Sequence, residues 1–186
     1  MTPLFAAALQ LQEFFTRRQW PFCLIGGIAL QRWGEPRFTR DVDVTLLTGF
    51  GREEEFIAPI LASGYRGRIP DAAEFARRNR VLLVDSPDGV SIDIALGGLP
   101  FEALMVERAS AYEFEAGCRL KTCSAEDLIV LKLFAFRPRD VLDVETVVLR
   151  QRACLDWAYI EEHLSPLAQL KGQPEIMDVF RKLRPA

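Results

Sequence analysis

Apolar residues recur at helical spacing between positions 2 and 18 of the chain. Thr2 suits an N-cap and Pro3 suits the first position of a helix, so we predict that the fold opens with a helix. A short apolar run at 22–25 then ends in Gly26 and Gly27, and a second helical pattern follows them. This order predicts a strand, a glycine turn and a helix.

Alternating apolar and polar residues over 41–47, rich in Val and Leu, predict the next strand. Two further strands are predicted at 80–85 and 90–96, because the Ser-Pro-Asp-Gly segment between them is typical of a hairpin turn. Helical patterns cover 51–63 and 71–78, joined by a loop of Gly, Arg and Pro, and a further helix is predicted at 100–109. Two short strands are predicted within 112–122, around Gly117.

The pattern changes at Ser124, which has the character of an N-cap followed by an acidic first turn. Helical patterns continue from there to the C-terminus. We therefore predict an α/β (α+β) core over residues 1–123 and a helical region over 124–186 that packs on the core.

Composition excludes some classes of protein. The chain has 186 residues, 49% of them hydrophobic, which suffices for a compact core. Its 23 basic and 26 acidic residues indicate neither nucleic acid nor an anionic membrane as partner. No apolar run has the length of a membrane span, and the N-terminus lacks a leader-like pattern, so we predict a cytoplasmic protein without a membrane partner. The cysteines, which we expect to be reduced, are Cys23, Cys118, Cys123 and Cys154.

Two aspartates lie two residues apart in the strand predicted at 41–47. Asp41 and Asp43 therefore project from one face of the strand, and the intervening valine projects from the other. Carboxylates this close repel each other, so the pair needs a cation or strong hydrogen-bond donors. Mg²⁺ fits, because it prefers carboxylate and phosphate oxygens. The alternative is a solvated strand edge, or an ion pair with Arg37 or Arg40.

A third aspartate, Asp93, lies between two isoleucines in the strand predicted at 90–96. Beside Asp41 and Asp43 it would complete a cluster able to bridge two metal ions about 3.5–4 Å apart, the arrangement used in phosphoryl displacement. The alternative is a surface acid in a hairpin. We predict that the three carboxylates converge.

Gly26 and Gly27 leave the backbone at a helix N-terminus accessible to a phosphate group. The stretches at 26–30 (Gly-Gly-Ile-Ala-Leu) and 37–44 (Arg-Phe-Thr-Arg-Asp-Val-Asp-Val) resemble the DNA polymerase β-type nucleotidyltransferase superfamily. The resemblance is greatest to the minimal nucleotidyltransferases and to the AbiEii-type toxins of bacterial abortive-infection and toxin–antitoxin systems.

The resemblance implies a nucleotidyltransferase core with a mixed β-sheet flanked by helices. It also implies that Gly26 and Gly27 hold the phosphates of a nucleoside triphosphate (NTP). Asp41 and Asp43 would bind Mg²⁺ or Mn²⁺, and Asp93 would complete the site. Many catalytic members have serine at the position of Gly27, so this chain lacks one hydroxyl that could bind phosphate.

Residues 126–135 resemble the lysine-bearing helix of the same family. Lys132 is the single charge in the segment 128–136 and needs an anionic partner or access to solvent. We predict that Lys132, together with Arg40, neutralises the triphosphate. If Lys132 serves only the phosphate, Lys132→Met should leave the fold intact and weaken NTP binding or turnover.

Residues 139–143 resemble the basic-Asp-x-x-Asp element that follows this helix in AbiEii-type proteins. Asp140 and Asp143 lie on one helical face, where they either belong to the nucleotide site or pair with Arg137 or Arg139. Both interpretations stay open from the sequence.

The implied activity is metal-dependent transfer of a nucleoside monophosphate (NMP) from NTP to an acceptor, which would be tRNA, another protein or a small molecule. A cognate antitoxin is the implied partner. One alternative is an inactive module of the same fold that binds a nucleotide or a partner. Another is a haloacid-dehalogenase-like phosphatase, because residues 41–45 fit its Asp-x-Asp-x-Thr motif. In that class the motif follows a strand, and a later acidic motif that this chain lacks is required.

Overall fold

The computed structural model describes residues 1–184, and Pro185 and Ala186, the end of the predicted helical region, lie outside the described residues. Within that range the helices are α1 Pro3–Arg17, α2 Gly26–Trp33, α3 Glu54–Ala62, α4 Ala72–Asn79, α5 Pro100–Arg108, α6 Ala125–Ala135, α7 Pro138–Gln151, α8 Trp157–Lys171 and α9 Glu175–Leu183. The strands are β1 Phe22–Leu24, β2 Asp41–Leu47, β3 Arg66–Gly67, β4 Val81–Asp85, β5 Ser91–Gly97, β6 Ser110–Glu115 and β7 Cys118–Thr122.

The strands of the described residues form one mixed sheet in the order β3-β4-β5-β2-β1-β7-β6. The central strands β2 and β5 run parallel, and their register pairs Asp43 with Asp93 and Asp41 with Ser91. The neighbours on either side, β1 and β4, are antiparallel to them. The prediction of an α/β protein with a mixed sheet and flanking helices is confirmed.

Two helix starts form as their sequences predict. The Thr2 hydroxyl accepts a hydrogen bond from the Phe5 amide at 3.3 Å, and Pro3 occupies the first turn of α1. The Ser124 hydroxyl accepts a hydrogen bond from the Asp127 amide at 3.1 Å and caps α6. Each cap satisfies an amide that has no partner within its helix, which fixes where the helix begins.

The chain divides into two compact units. The sheet unit comprises Met1–Ile28 and Phe38–Cys123, and the helical unit comprises Ala29–Arg37 and the chain from Ser124 onward. The helical unit is therefore built from two separate stretches of sequence. Its short stretch is tied to α7, because the Glu35 amide donates to the Thr146 hydroxyl at 3.0 Å and Gln151 donates to the Trp33 carbonyl at 3.0 Å.

The core of the sheet unit follows the period-two pattern of its strands. Val42, Val44 and Leu46 of β2 are fully buried, and Ile92 and Ile94 of β5 are buried beside them. The residues between them project from the opposite face and are half-buried at Asp41, Asp43 and Asp93. The valines and isoleucines therefore fix which face the acids occupy.

Two smaller predictions have different outcomes. The sequence predicts only a loop between α3 and α4, and this prediction is wrong. Arg66 and Gly67 form strand β3, in which they pair with Asp85 and Val84 of β4. A two-residue strand is too short to leave a periodic signal in the sequence. The four cysteines are free thiols in the structure, Cys154 exposed and the other three buried, and their reduced state stays a prediction. Among the described helices, none combines the length and apolar character needed to cross a membrane.

Candidate active site

Three carboxylates converge on one face of the sheet. Asp41, Asp43 and Asp93 each place an oxygen atom within 4.8 Å of the other two, which makes them the one group of this kind among the described residues. The convergence follows from the parallel register of β2 and β5, which sets Asp93 directly beside Asp43. The predicted convergence is confirmed.

The glycine turn lies against Asp43. The backbone of Ile25 donates to the Asp43 carbonyl at 2.9 Å, and the Gly27 amide approaches the Asp43 carboxylate at 3.4 Å. Gly26 has a left-handed φ of +57°, and a Cβ atom there would lie 1.9 Å from Asp43 Oδ2. Position 26 therefore requires glycine for both its backbone conformation and its contact with an acid of the cluster.

Thr39 holds the first aspartate of the cluster. Its hydroxyl donates to Asp41 Oδ1 at 2.9 Å. A Cβ atom at Gly27 would lie 2.5 Å from the same hydroxyl oxygen, so Thr39 occupies the space that a side chain at 27 would need. A serine at position 27 would therefore collide with Thr39.

Arg68 forms an ion pair with Asp93, the third acid. Burial raises the pKa of Asp93, the positive charge of Arg68 lowers it, and the negative charge of Asp41 raises it again, so that the net pKa lies above its usual range. Neither Thr39 nor Arg68 was assigned a role from the sequence. Thr39 lies in the recognised motif, but Arg68 lies in the segment that was predicted as a loop.

Arg40 is exposed and precedes β2 directly. Its guanidinium lies 5.5 Å from the centre of the Phe38 ring. Its assignment as a phosphate ligand stays a prediction.

Lys132 lies in a buried ion network of the helical unit. Its ammonium contacts Asp143 at 2.7 Å and Asp140 at 3.3 Å, and the three side chains belong to residues that are only 4–6% exposed. Arg37 makes two hydrogen bonds to the Asp143 carboxylate, both at 2.9 Å, and Arg137 pairs with Asp140 at 2.6 Å. The structure thus brings Lys132, Asp140 and Asp143 together.

The network determines the ionisation of Asp143. Burial raises its pKa, but the hydrogen bonds and charges of Arg37 and Lys132 lower it by more, so the net pKa lies below the usual range. Asp143 is therefore held as a carboxylate that orients both cations. Two of the three donors of the Lys132 ammonium are engaged by the two aspartates.

The acid cluster fits a small divalent cation. All three donors are carboxylate oxygens, the ligands that Mg²⁺ and Mn²⁺ prefer. In an octahedral site with bonds of about 2.1 Å, ligand oxygens lie roughly 3–4 Å apart, so oxygens already within 4.8 Å need only small shifts. The acids are half-buried, so each is partly accessible to solvent.

Comparison with known proteins identifies the chain. The family described as nucleotidyl transferase AbiEii toxin, type IV toxin–antitoxin system, matches residues 18–173, which is more than half of the sequence. The chain belongs to the AbiEii family. The resemblance drawn from the glycine turn and the aspartate pair is confirmed.

Solved nucleotidyltransferases share the fold of this AbiEii protein. ANT(2")-Ia in complex with adenylyl-2"-tobramycin superposes with a TM-score of 0.58 at 15% identity over 91% of this chain and 99% of that chain. The lincosamide antibiotic adenylyltransferase LnuA, lincomycin-bound, gives 0.52 at 12% identity over 79% and 96%. An antigenic nucleotidyltransferase-like protein from Paracoccidioides brasiliensis gives 0.56 at 13% identity over 96% and 92%. None of the curated proteins matches the chain by sequence.

The AbiEii protein is a nucleotidyltransferase. The family assignment decides against the haloacid-dehalogenase-like phosphatase. The local structure agrees, because Asp41 begins β2 and the strand continues to Leu47 rather than ending before the aspartates.

Proposed function

We propose that this protein transfers an NMP from an NTP to an acceptor hydroxyl, using divalent cations held by Asp41, Asp43 and Asp93. The observation that carries the proposal is the meeting of three carboxylates with the glycine turn, whose Gly27 amide lies 3.4 Å from Asp43. Mg²⁺ or Mn²⁺ bound there would neutralise phosphate charge and polarise the phosphoryl oxygens.

The reaction joins the acceptor oxygen to the α-phosphorus, breaks the bond from that phosphorus to the bridging oxygen of the β-phosphate, and releases pyrophosphate. The acceptor loses one proton. The chain contributes mainly position and charge: the three aspartates orient the site, and Thr39 fixes Asp41. The N-terminus of α2, at Gly26 and Gly27, supplies backbone N–H groups suited to a phosphate of the substrate.

Lys132 and Arg40 complete the proposal as cations for the triphosphate. The Lys132 ammonium has three N–H donors, of which two donate to Asp140 and Asp143. We assign the third donor to a phosphate oxygen of the substrate. Arg40 lies next to Asp41 in sequence and is exposed to solvent.

The proposal also covers the acceptor, the toxin role and the partner, and it is supported there by the description of the family. AbiEii members are described as toxins of a type IV toxin–antitoxin system. We therefore propose that the acceptor is a cellular RNA, protein or small molecule whose modification arrests growth, in a cytoplasmic setting, and that a cognate antitoxin opposes the effect.

The test uses NTPs labelled at the α- or γ-phosphate, with each base in turn, incubated with cell extract and Mg²⁺. We expect the α-label to be transferred to an acceptor, the γ-label to leave as pyrophosphate, and Asp43→Asn to abolish both. Nuclease or protease treatment of the labelled product identifies the class of acceptor. Expression of the wild type, but not of Asp43→Asn, is expected to reduce colony counts.

Asp88→Asn is the matched control, because Asp88 is an exposed aspartate of the β4–β5 turn that contacts Gln10. It should retain full activity. Transfer of the γ-label to the acceptor would indicate a kinase and contradict the proposal. NTP binding without turnover in the wild type would favour the inactive module.

A further inference from the structure

Arg68 lies beside the acid cluster and has no role in the function described so far. It forms an ion pair with Asp93 across the sheet, and both side chains are only partly exposed, Arg68 at 27% and Asp93 at 35%. The guanidinium of Arg68 therefore places a positive charge next to the carboxylates that, in the proposed function, bind a metal ion.

The register of the sheet places Arg68 in one row with the acids. The Arg68 amide donates to the Leu83 carbonyl at 3.1 Å, Leu83 pairs with Asp93, and Asp93 pairs with Asp43. Neighbouring strands lie about 4.8 Å apart, so Arg68 is two strand spacings from Asp93, a distance that its long side chain spans. Directly paired residues project from the same face of the sheet, which directs the guanidinium toward the cluster.

The backbone on either side of Arg68 is fixed by packing. A Cβ atom on Gly67 would lie 2.7 Å from the Cβ of Ala72, so α4 packs closely against β3 at this point. Ile69 packs against the core of the sheet unit, and Ala72 belongs to that core. A fixed backbone and a partly exposed side chain allow the guanidinium to change its contacts through side-chain rotation alone.

A guanidinium and a divalent cation compete for the same carboxylate. Arginine stays protonated at all working pH values, so Arg68 cannot relieve the conflict by losing its proton. If the ion used Asp93 Oδ1, the guanidinium would have to leave that oxygen. If the ion used the other oxygen, the positive charge of Arg68 would still oppose its binding.

We propose that Arg68 is a positioning residue that acts as the built-in counterion of the acid cluster. It holds Asp93 while no divalent cation is bound, and it withdraws from that carboxylate when one binds. The inference rests on the metal site of the proposed function. As a consequence, Arg68 lowers the affinity of the cluster for free metal ions, and it stabilises the three carboxylates when no metal ion is bound.

The test measures Mn²⁺ binding without nucleotide, from the electron paramagnetic resonance signal of free Mn²⁺, in wild type, Arg68→Met and Arg68→Lys. A unit charge about 5 Å from a divalent ion, screened as in water, corresponds to a roughly tenfold change in affinity. We expect Arg68→Met to bind Mn²⁺ about tenfold more tightly than wild type. Arg68→Lys keeps the charge and should bind like wild type.

Arg66→Met is the matched control, because Arg66 lies two residues away and pairs with Asp85, outside the cluster. Its Mn²⁺ affinity should not change. The melting temperature gives a second readout. In a chelator, without metal, Arg68→Met should have a lower Tm than wild type, and addition of Mn²⁺ should raise its Tm by more than that of wild type.

The possible outcomes distinguish a failure of the counterion role of Arg68 from a failure of the proposed metal site. If neither the wild type nor Arg68→Met binds Mn²⁺, the proposed metal site fails. If the wild type binds Mn²⁺ and Arg68→Met binds it equally or more weakly, the counterion role alone is overturned. Arg68→Lys behaving like Arg68→Met would also overturn it, because the charge would then not be the cause.

Discussion

Gly26 meets two constraints at one residue. Its φ of +57° is unfavourable for residues with a side chain, and a Cβ atom there would overlap the Asp43 carboxylate at 1.9 Å. We predict that Gly26→Ala displaces Asp43 and weakens Mn²⁺ binding by at least about tenfold, because one of three ligands would be misplaced. Mn²⁺ titration of the purified variant measures the effect.

The control for Gly26→Ala is Gly49→Ala. Gly49 has a similar φ of +69°, but a Cβ atom there would meet nothing within 4 Å. Both variants should lose about 1 kcal/mol of stability from the left-handed backbone, and only Gly26→Ala should lose metal affinity. Equal Mn²⁺ affinity in the two variants would show that the contact with Asp43 does not matter.

The sequence predicted some residues of the site and missed others for a physical reason. The shared face of Asp41 and Asp43 follows from the period of a single strand, and the convergence with Asp93 needs only that two apolar strands lie side by side. Arg68 reaches Asp93 across β4, so its role depends on the register of three strands. Register is fixed by the folded sheet and not by any local pattern.

Helices α6 and α7 are joined by the network around Lys132. From the sequence alone, Lys132→Met was expected to leave the fold intact. The structure changes that expectation, because Lys132 is only 6% exposed and its ammonium contacts two buried carboxylates. We now predict that Lys132→Met lowers the free energy of unfolding by about 2–3 kcal/mol, because the two buried carboxylates lose the charged donor that they share and keep only Arg37 and Arg137 as cationic partners.

Urea unfolding at neutral pH measures this loss. Lys182→Met, on the exposed surface of α9, is the control and should change stability by less than about 0.5 kcal/mol. A second substitution, Asp140→Asn in the Lys132→Met background, should recover part of the loss by removing one buried charge. Wild-type stability of Lys132→Met would show that the network contributes little to the fold.

The bounds of helices and strands were predicted closely where the sequence carries a strong local pattern, such as alternation or an N-cap. Strand β2 begins and ends where its alternating pattern does, and α6 begins where Ser124 caps it. Strand β3 could not be predicted, because it exists only through pairing with β4. The ion network could not be predicted in full either, since Arg37 reaches Asp143 from 106 residues away along the chain.

The stability of the whole molecule should depend on divalent metal. A cation that binds only the folded cluster at about ten times its dissociation constant adds roughly 1.4 kcal/mol, or a rise of about 3–6 °C in Tm for a chain of this size. We predict this rise with Mg²⁺ or Mn²⁺ in differential scanning calorimetry, and none for Asp43→Asn. If two transitions appear, only the one that unfolds the sheet unit should move. The same rise in Asp43→Asn would place the bound metal elsewhere.

Because the helical unit is formed by two separate stretches of sequence, it cannot fold completely until late in translation. Glu35 leaves the ribosome early, yet its hydrogen-bond partner Thr146 lies 111 residues later. At a synthesis rate of about 5–20 residues per second, residues 29–37 wait on the order of 5–20 s for the helices they pack with. During that interval Trp33 and its neighbours are open to chaperones and proteases. We therefore expect the nascent chain to be most susceptible to proteolysis after its sheet strands have emerged and before α7 has been synthesised.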